Sequence, residues 1–218
     1  MRVLLFITTI LISSVAFGQD TIEVKISSDV CSCMTRIKDL SKDNFADCFQ
    51  EGIEKNSPLL LKQYETLDKD TSEEAASISG RELYNRLSVN MIFSCPVYYK
   101  IIDSLRYTSL SNISKDSVKN QIVSMGKDDS ETRDRDFFTR RGVMNFQIAN
   151  LDSAIADFEN AIKLDPYAFQ SMFFKAWVLE LKKNYDEAIS LYTQLATLTQ
   201  KNDFKIFVAV AQKKKKGL

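Results

Sequence analysis

The chain has 218 residues with 29 basic and 29 acidic side chains, so its formal net charge is zero. A nearly neutral chain is not expected to bind nucleic acid, because that binding needs a surplus of cations to neutralise phosphates. Only 6 glycines and 3 prolines interrupt the sequence. Because the apolar residues also recur with helical periods, we predict an all-α fold.

The first 18 residues, MRVLLFITTILISSVAFG, have the pattern of a secretory signal peptide. Arg2 precedes a short apolar run, and the small residues Ala16 and Gly18 precede a predicted cleavage before Gln19. The alternatives are a buried N-terminal helix or a membrane anchor, but the run is shorter than the ~20 apolar residues that a span needs. We therefore predict a secreted or periplasmic protein that begins near Gln19.

Residues 19–126 are predicted to form a helical domain. Its first segment, TIEVKI at 21–26, alternates like a strand and is interpreted as an extended arm. Helices are then predicted to start near Ser27, at Ser41, at Ser57-Pro58, at Thr71 and at Pro96. A last helix, from Lys115 to Met125, should bury Val118, Ile122 and Val123 and stop at Gly126.

All four cysteines lie in this domain, at Cys31, Cys33, Cys48 and Cys95. An even number in an exported chain favours two disulfides. Cys31 and Cys33 point to roughly opposite sides of a helix, so two connectivities remain. If the first two helices fold back on each other, Cys33 faces Cys48, and we predict Cys33–Cys48 and Cys31–Cys95. A zinc site or a thiol-redox role is less favoured, because neither a C-x-x-C motif nor a histidine is present.

The second half repeats its own pattern at an offset of 34 residues: LDSAIADFENAIKLDP at 151–166 is followed by YDEAISLYTQLATLTQ at 185–200. A fixed period of this kind indicates stacked supersecondary units. The small residues Gly142 and Ala176 are expected where two antiparallel helices cross. The aromatic residues Phe158 and Tyr192 are expected to fill the space between neighbouring units. The join between the two halves is predicted in the polar stretch at 126–134.

Residues 135 to about 200 resemble two tetratricopeptide repeats, above all in AIADFENAIKLDP. The chain departs from the usual residues of that family at three places. Asn145 stands in place of a large residue, Leu195 stands in place of a small one, and the second repeat lacks its closing proline. The resemblance implies paired helices that stack into a right-handed superhelix with a concave groove. We divide residues 135–218 into the repeats 135–168 and 169–202 and a C-terminal capping helix, which repeat stacks need.

The resemblance also implies that the first helix of each repeat lines the groove. The implied partner-binding residues, called the concave lining below, are Asp136, Thr139, Val143, Phe146, Gln170, Phe173, Trp177 and Glu180. Phe146, Phe173 and Trp177 form an aromatic stripe on this lining, and such a stripe suits an apolar peptide or helix. The alternative is that a helix of the N-terminal half covers the stripe. Relatives that clamp a terminal carboxylate carry Lys and Asn where Thr139 and Val143 stand, so that activity is not supported.

These features predict an exported, non-catalytic module that binds a protein or peptide and needs no cofactor. The chain has no histidine, which excludes Ser-His and Cys-His nucleophile pairs, and it has no glycine-rich phosphate loop. The lysines at 213–216 are interpreted as a solvated tail at a helix C-terminus. Contact of these lysines with anionic lipid is the alternative, so an envelope-associated structural protein is the second interpretation.

Overall fold

A computed structural model describes residues 21–37, 42–64, 73–111, 114–127 and 133–218. Within these ranges the chain forms eleven helices and no strand, which confirms the predicted all-α fold. No helix in this part of the chain is long and apolar enough to cross a membrane. The helices are α1 (Thr21–Arg36), α2 (Lys42–Lys55), α3 (Ser57–Tyr64), α4 (Glu73–Ser94), α5 (Pro96–Ser111), α6 (Lys115–Lys127), α7 (Arg135–Gln147), α8 (Leu151–Leu164), α9 (Phe169–Leu181), α10 (Tyr185–Thr199) and α11 (Phe204–Lys215).

The stretch TIEVKI at 21–26 is the first part of α1, so its interpretation as an extended arm is wrong. Ile22, Ile26 and Val30 are spaced by four residues and are all buried. Over so short a segment, the alternation of a strand and the spacing of a helix face coincide. Packing of this face against α2, α4 and α5 decides in favour of the helix.

Helix α1 is the centre of the N-terminal half. Gly52 allows α2 to approach it closely, because a Cβ at that position would lie 2.5 Å from Val30 Cγ2. Phe45 and Phe49 of α2 pack against Tyr98 of α5, with ring centroids 5.9 and 6.1 Å from the tyrosine ring. The core of this half is therefore apolar and aromatic.

Two disulfides join the helices of this core. Cys31 is bonded to Cys95 and Cys33 to Cys48, with Cα–Cα distances of 5.7 and 5.5 Å. The predicted pairing is confirmed. All four thiols are bonded, so no cysteine thiolate is available to bind zinc as the alternative required. One disulfide links α1 to the residue before α5, and the other links α1 to α2.

The 34-residue period is present in the backbone of the second half. Ala149 and Lys183 both adopt φ of 63° in the turns that join α7 to α8 and α9 to α10. The next residues, Asn150 and Asn184, donate their backbone N–H to carbonyl oxygens five residues earlier, at 2.8 and 2.9 Å. Equivalent residues thus build equivalent turns. Phe158 of the first repeat stacks on the Phe174 ring of the second, as expected for a residue between units.

The departure at Asn145 has a physical explanation. Asn145 is buried and donates from Nδ2 to Asp157 Oδ2 at 2.9 Å, while Arg141 donates to the same carboxylate. The hydrogen bond from Arg141 to Asp157 raises the pKa of Arg141, and its effect outweighs the opposing effect of burial. The second repeat has Leu179 and Leu191 at the positions of Asn145 and Asp157, and both leucines belong to one apolar cluster. The first repeat therefore has a polar pair at the place where the second repeat has an apolar pair.

Helix α11 belongs to both halves. It packs against α10 of the second repeat and against α4 of the N-terminal half. Ala209 and Val210 lie in the core of the N-terminal half, whereas Ala211 lies in the core of the second repeat. The predicted capping helix is thus itself covered by α4, at the end of the repeat stack.

The lysines that follow in α11 are not a solvated tail. Lys213 is buried, donates from Nζ to the Ile92 carbonyl at 2.8 Å, and lies 4.6 Å from the centroid of the Tyr99 ring. Lys214 is half-buried among charged partners, and only Lys215 and Lys216 are exposed. The interpretation as a solvated tail is therefore wrong for Lys213 and Lys214, because these side chains hold α11 against α4 and α5.

Helix α6 packs on α7 at the opposite end of the repeats. Val118 is buried and Ile122 half-buried as expected, but Val123 is 53% exposed, so its predicted burial is wrong. The helix also continues through Gly126 to Lys127. Val123 lies one position past Ile122 and so points away from the face that meets α7.

Gly142 provides the first stability test. A Cβ at this position would lie 2.6 Å from Phe158 Cε1, so Gly142→Ala should lower the free energy of unfolding by ~1–3 kcal/mol through overpacking. The control is Gly80→Ala in α4, where a Cβ meets nothing within 4 Å and a gain of ~0.5–1 kcal/mol is expected. Urea unfolding measures both. Equal effects of the two substitutions would contradict the close packing of α7 on α8.

Candidate partner-binding groove

The first helices of the repeats and the capping helix lie side by side. Thr139 Oγ1 of α7 is 2.8 Å from Ser171 Oγ of α9. The Phe173 ring of α9 is 5.2 Å from the Phe207 ring of α11, measured between centroids. These contacts order α7, α9 and α11 as one layer, and the concave lining lies on this layer.

The concave lining divides into an exposed end and a covered end. Asp136 and Gln170 are exposed, and Val143 and Phe173 are half-buried; these four residues are called the open end below. The remaining members are buried, namely Thr139, Phe146, Trp177 and Glu180. The role of the lining in partner binding stays a prediction, and this burial restricts which of its residues a partner can reach.

Helix α5 covers the buried end. The Tyr107 ring meets the Trp177 ring edge to face, with centroids 6.0 Å apart. The guanidinium of Arg106 lies 5.5 Å from the Trp177 ring centroid, and Phe146 packs on the other side at 4.9 Å. As a result Trp177 is only 4% exposed. A helix of the N-terminal half therefore covers the aromatic stripe at this end.

Four charged side chains form an ion cluster where α5, α9 and α11 meet: Asp103, Arg106, Glu180 and Lys214. Arg106 donates from its two Nη atoms to the two carboxylate oxygens of Glu180, at 2.9 and 2.8 Å. Lys214 Nζ lies 2.8 Å from Glu180 Oε1 and 2.6 Å from Asp103 Oδ1. Two cations and two carboxylates balance, which makes the burial of these charges tolerable.

The electrostatics of the cluster favour its charged state. Burial alone lowers the pKa of Arg106 and of Lys214, because it disfavours a charged group. Hydrogen bonds and charge interactions with Glu180 and Asp103 outweigh burial and raise both pKa values above their ordinary range. The stabilisation from Lys214 is therefore complete below its unfolded pKa of ~10.4 and is lost as the pH rises through the higher folded pKa.

Sequence reasoning placed Glu180 on the lining but missed Asp103, Arg106 and Lys214. The sequence did indicate that Glu180 needs a cationic partner, because it lies in the apolar run FFKAWVLEL at 173–181 and a buried carboxylate must be paired. Nothing in the sequence near Glu180 indicated which cation would pair with it. Arg106 lies 74 residues before Glu180, and Lys214 lies 34 residues after it.

The ion cluster gives the second prediction. Glu180→Gln should lower the free energy of unfolding by ~3–5 kcal/mol, because the buried Arg106 and the half-buried Lys214 then share one carboxylate. The matched control is Glu159→Gln, which removes an exposed partner 3.0 Å from Lys175 and should cost at most ~1 kcal/mol. Urea unfolding followed by the fluorescence of Trp177 measures both. A Glu180→Gln effect no larger than that of the control would contradict the structural role of the cluster.

The comparisons with known proteins agree with this geometry. A family model described as tetratricopeptide repeat matches residues 136–167 and 169–202. The matched segments correspond to the helix pairs α7–α8 and α9–α10. No curated protein and no solved structure gave a significant match to the chain. The C-terminal half of the chain therefore contains two tetratricopeptide repeats.

Proposed function

We propose that the protein is an exported, non-catalytic interaction module that binds a protein or peptide on the open end of its concave lining. Tetratricopeptide repeats suggest protein binding as the general role. The observation that carries the proposal is the division of the lining: α5 contacts Trp177 and Glu180, while Asp136 and Gln170 stay exposed.

The covered end indicates the kind of ligand that this surface accepts. Its occupant is a helix, α5, which presents Tyr107 to an aromatic ring and Arg106 to a carboxylate. Phe173 and Val143 continue the apolar surface beyond this contact and are half-buried. A partner helix or peptide that places an apolar side chain on Phe173 would extend the same mode of recognition.

Export is the second part of the proposal. The disulfides Cys31–Cys95 and Cys33–Cys48 are consistent with an oxidising compartment outside the cytoplasm. The predicted signal peptide, residues 1–18, and the cleavage before Gln19 lie outside the described residues. Catalysis is not part of the proposal, because the chain has no histidine and its cysteines are paired.

Site-specific crosslinking tests the partner surface. We expect a photoreactive benzoylphenylalanine in place of Gln170 to crosslink the mature protein to a partner in its native compartment, because this side chain is exposed at the open end. The matched control replaces Gln194, an exposed glutamine on α10, which belongs to the second helix of its repeat. Adducts are identified by mass spectrometry. Equal capture of the same protein from both positions would show that the open end is not the binding surface.

Intact-mass measurement tests export. The protein recovered from the extracytoplasmic fraction should begin at or near Gln19, because small residues at Ala16 and Gly18 suit signal-peptide cleavage there. Its mass should also lack four hydrogens relative to the fully reduced chain, since two disulfides are present. A cytoplasmic protein that retains Met1 would contradict the proposal of export.

A further inference from the structure

A groove with a volume of about 880 Å³ lies between α1 and α4, outside the repeats. Val24 and Phe93 are exposed apolar residues on its two walls. Most of the other lining groups are hydroxyls and amides, among them Ser27, Ser28 and Asn90. This volume is in the range of sites that hold small molecules, ~300–1,000 Å³.

Cys31 lines this groove, and it is half-buried, whereas the other three cysteines are buried. Cys33 is 7% exposed, and Cys48 and Cys95 are fully enclosed. The two disulfides therefore differ in access. Cys31–Cys95 has a half-buried cysteine that borders the groove, whereas Cys33–Cys48 has two buried cysteines and neither of them lines it. Access is one of the factors that set the rate of thiol–disulfide exchange.

We propose that the α1–α4 groove is a thiol-exchange site, in which a small peptide thiol of the glutathione class reacts with Cys31 while Cys33–Cys48 stays oxidised. The inference is independent of the partner surface proposed above. It assigns to one disulfide a chemical reactivity that its structural role does not require.

The reaction balances with the thiol as the reductant. The peptide thiolate attacks Cys31 Sγ, a new sulfur–sulfur bond forms between the two, and the Cys31–Cys95 bond breaks. Cys95 leaves as a thiolate and takes a proton from solvent. A second peptide thiolate then attacks the peptide sulfur of the mixed disulfide, which releases the oxidised peptide disulfide and leaves Cys31 as a thiol.

The lining favours a peptide over a simple alkyl thiol. Arg36 lies at the rim with its side chain 68% exposed, and it makes an ion pair with Glu51 at 3.2 Å. An exposed pair of this kind is weak. The guanidinium can therefore turn to a peptide carboxylate.

The exchange would act on α5. Cys95 immediately precedes Pro96, the first residue of α5, and its disulfide ties that point to α1. The same helix carries Arg106 and Tyr107, which cover Trp177. Reduction of Cys31–Cys95 removes a covalent tie at the start of this helix. Trp177, the only tryptophan, is a built-in reporter of whether α5 stays in place.

Limited reduction with glutathione tests the proposal. The native protein is incubated with reduced glutathione, alkylated and mapped by mass spectrometry over time. We expect a mixed disulfide on Cys31 and alkylation of Cys95 to form at least ~10-fold faster than any product of Cys33 or Cys48. Trp177 fluorescence recorded in parallel shows whether α5 stays in place as the disulfide reacts. Equal rates at the two disulfides, or earlier loss of Cys33–Cys48, would overturn the proposal.

Two substitutions test whether the thiol reaches Cys31 through the groove and whether the groove recognises a peptide. Ser28→Phe fills the groove beside Cys31 and should slow the reaction with glutathione at least ~5-fold, whereas Ser190→Phe, at an exposed serine of α10, should leave the rate unchanged. Arg36→Gln should slow glutathione but not 2-mercaptoethanol, which carries no carboxylate. Unchanged rates in Ser28→Phe would refute entry through the groove, and equal effects on both thiols would refute the peptide class.

Discussion

Glu180 has a carboxylate with no exposed surface, and the arrangement of the two halves depends on how this charge is compensated. A buried carboxylate without a partner is strongly unfavourable. Here Arg106 comes from α5 and Lys214 from α11, and Asp103 balances the second cation. The cluster joins three helices that are far apart in the chain. It therefore fixes α5 over the concave side of the repeats, where apolar contacts alone would tolerate several positions.

The two repeats are also covered at both ends of their stack. Helix α11 packs on α10 with one face and on α4 with another, and α6 packs on α7 at the opposite end. Lys213 contributes by donating to the Ile92 carbonyl near the C-terminus of α4, where a cation is favoured by the helix dipole. The N-terminal half thus covers both ends of the repeats and one end of their groove, and it leaves Asp136 and Gln170 of the open end exposed.

Local patterns in the sequence predicted the helices, the repeats and the disulfide pairing. The repeats were readable because the small residue at Gly142 and the aromatic residue at Phe158 meet within one helix pair and recur in the next. The pairing of Cys33 with Cys48 followed from two neighbouring helices that fold back on each other. The segment at 21–26 was assigned wrongly, because six residues are too few to distinguish a strand from a helix face.

The sequence by itself therefore determined the secondary structure of the repeats, their stacking and the covalent links. The repeats depend on residues that are close in the chain or equivalent by period, and Cys31–Cys95 followed once Cys33 was paired with Cys48. Only the tertiary structure decided that α5 covers Trp177 and that Lys213 and Lys214 are not a solvated tail. The physical reason is that charge pairing has no period and no fixed spacing. Any arginine or lysine could have neutralised Glu180, and folding brought two of them to it from opposite sides in the chain.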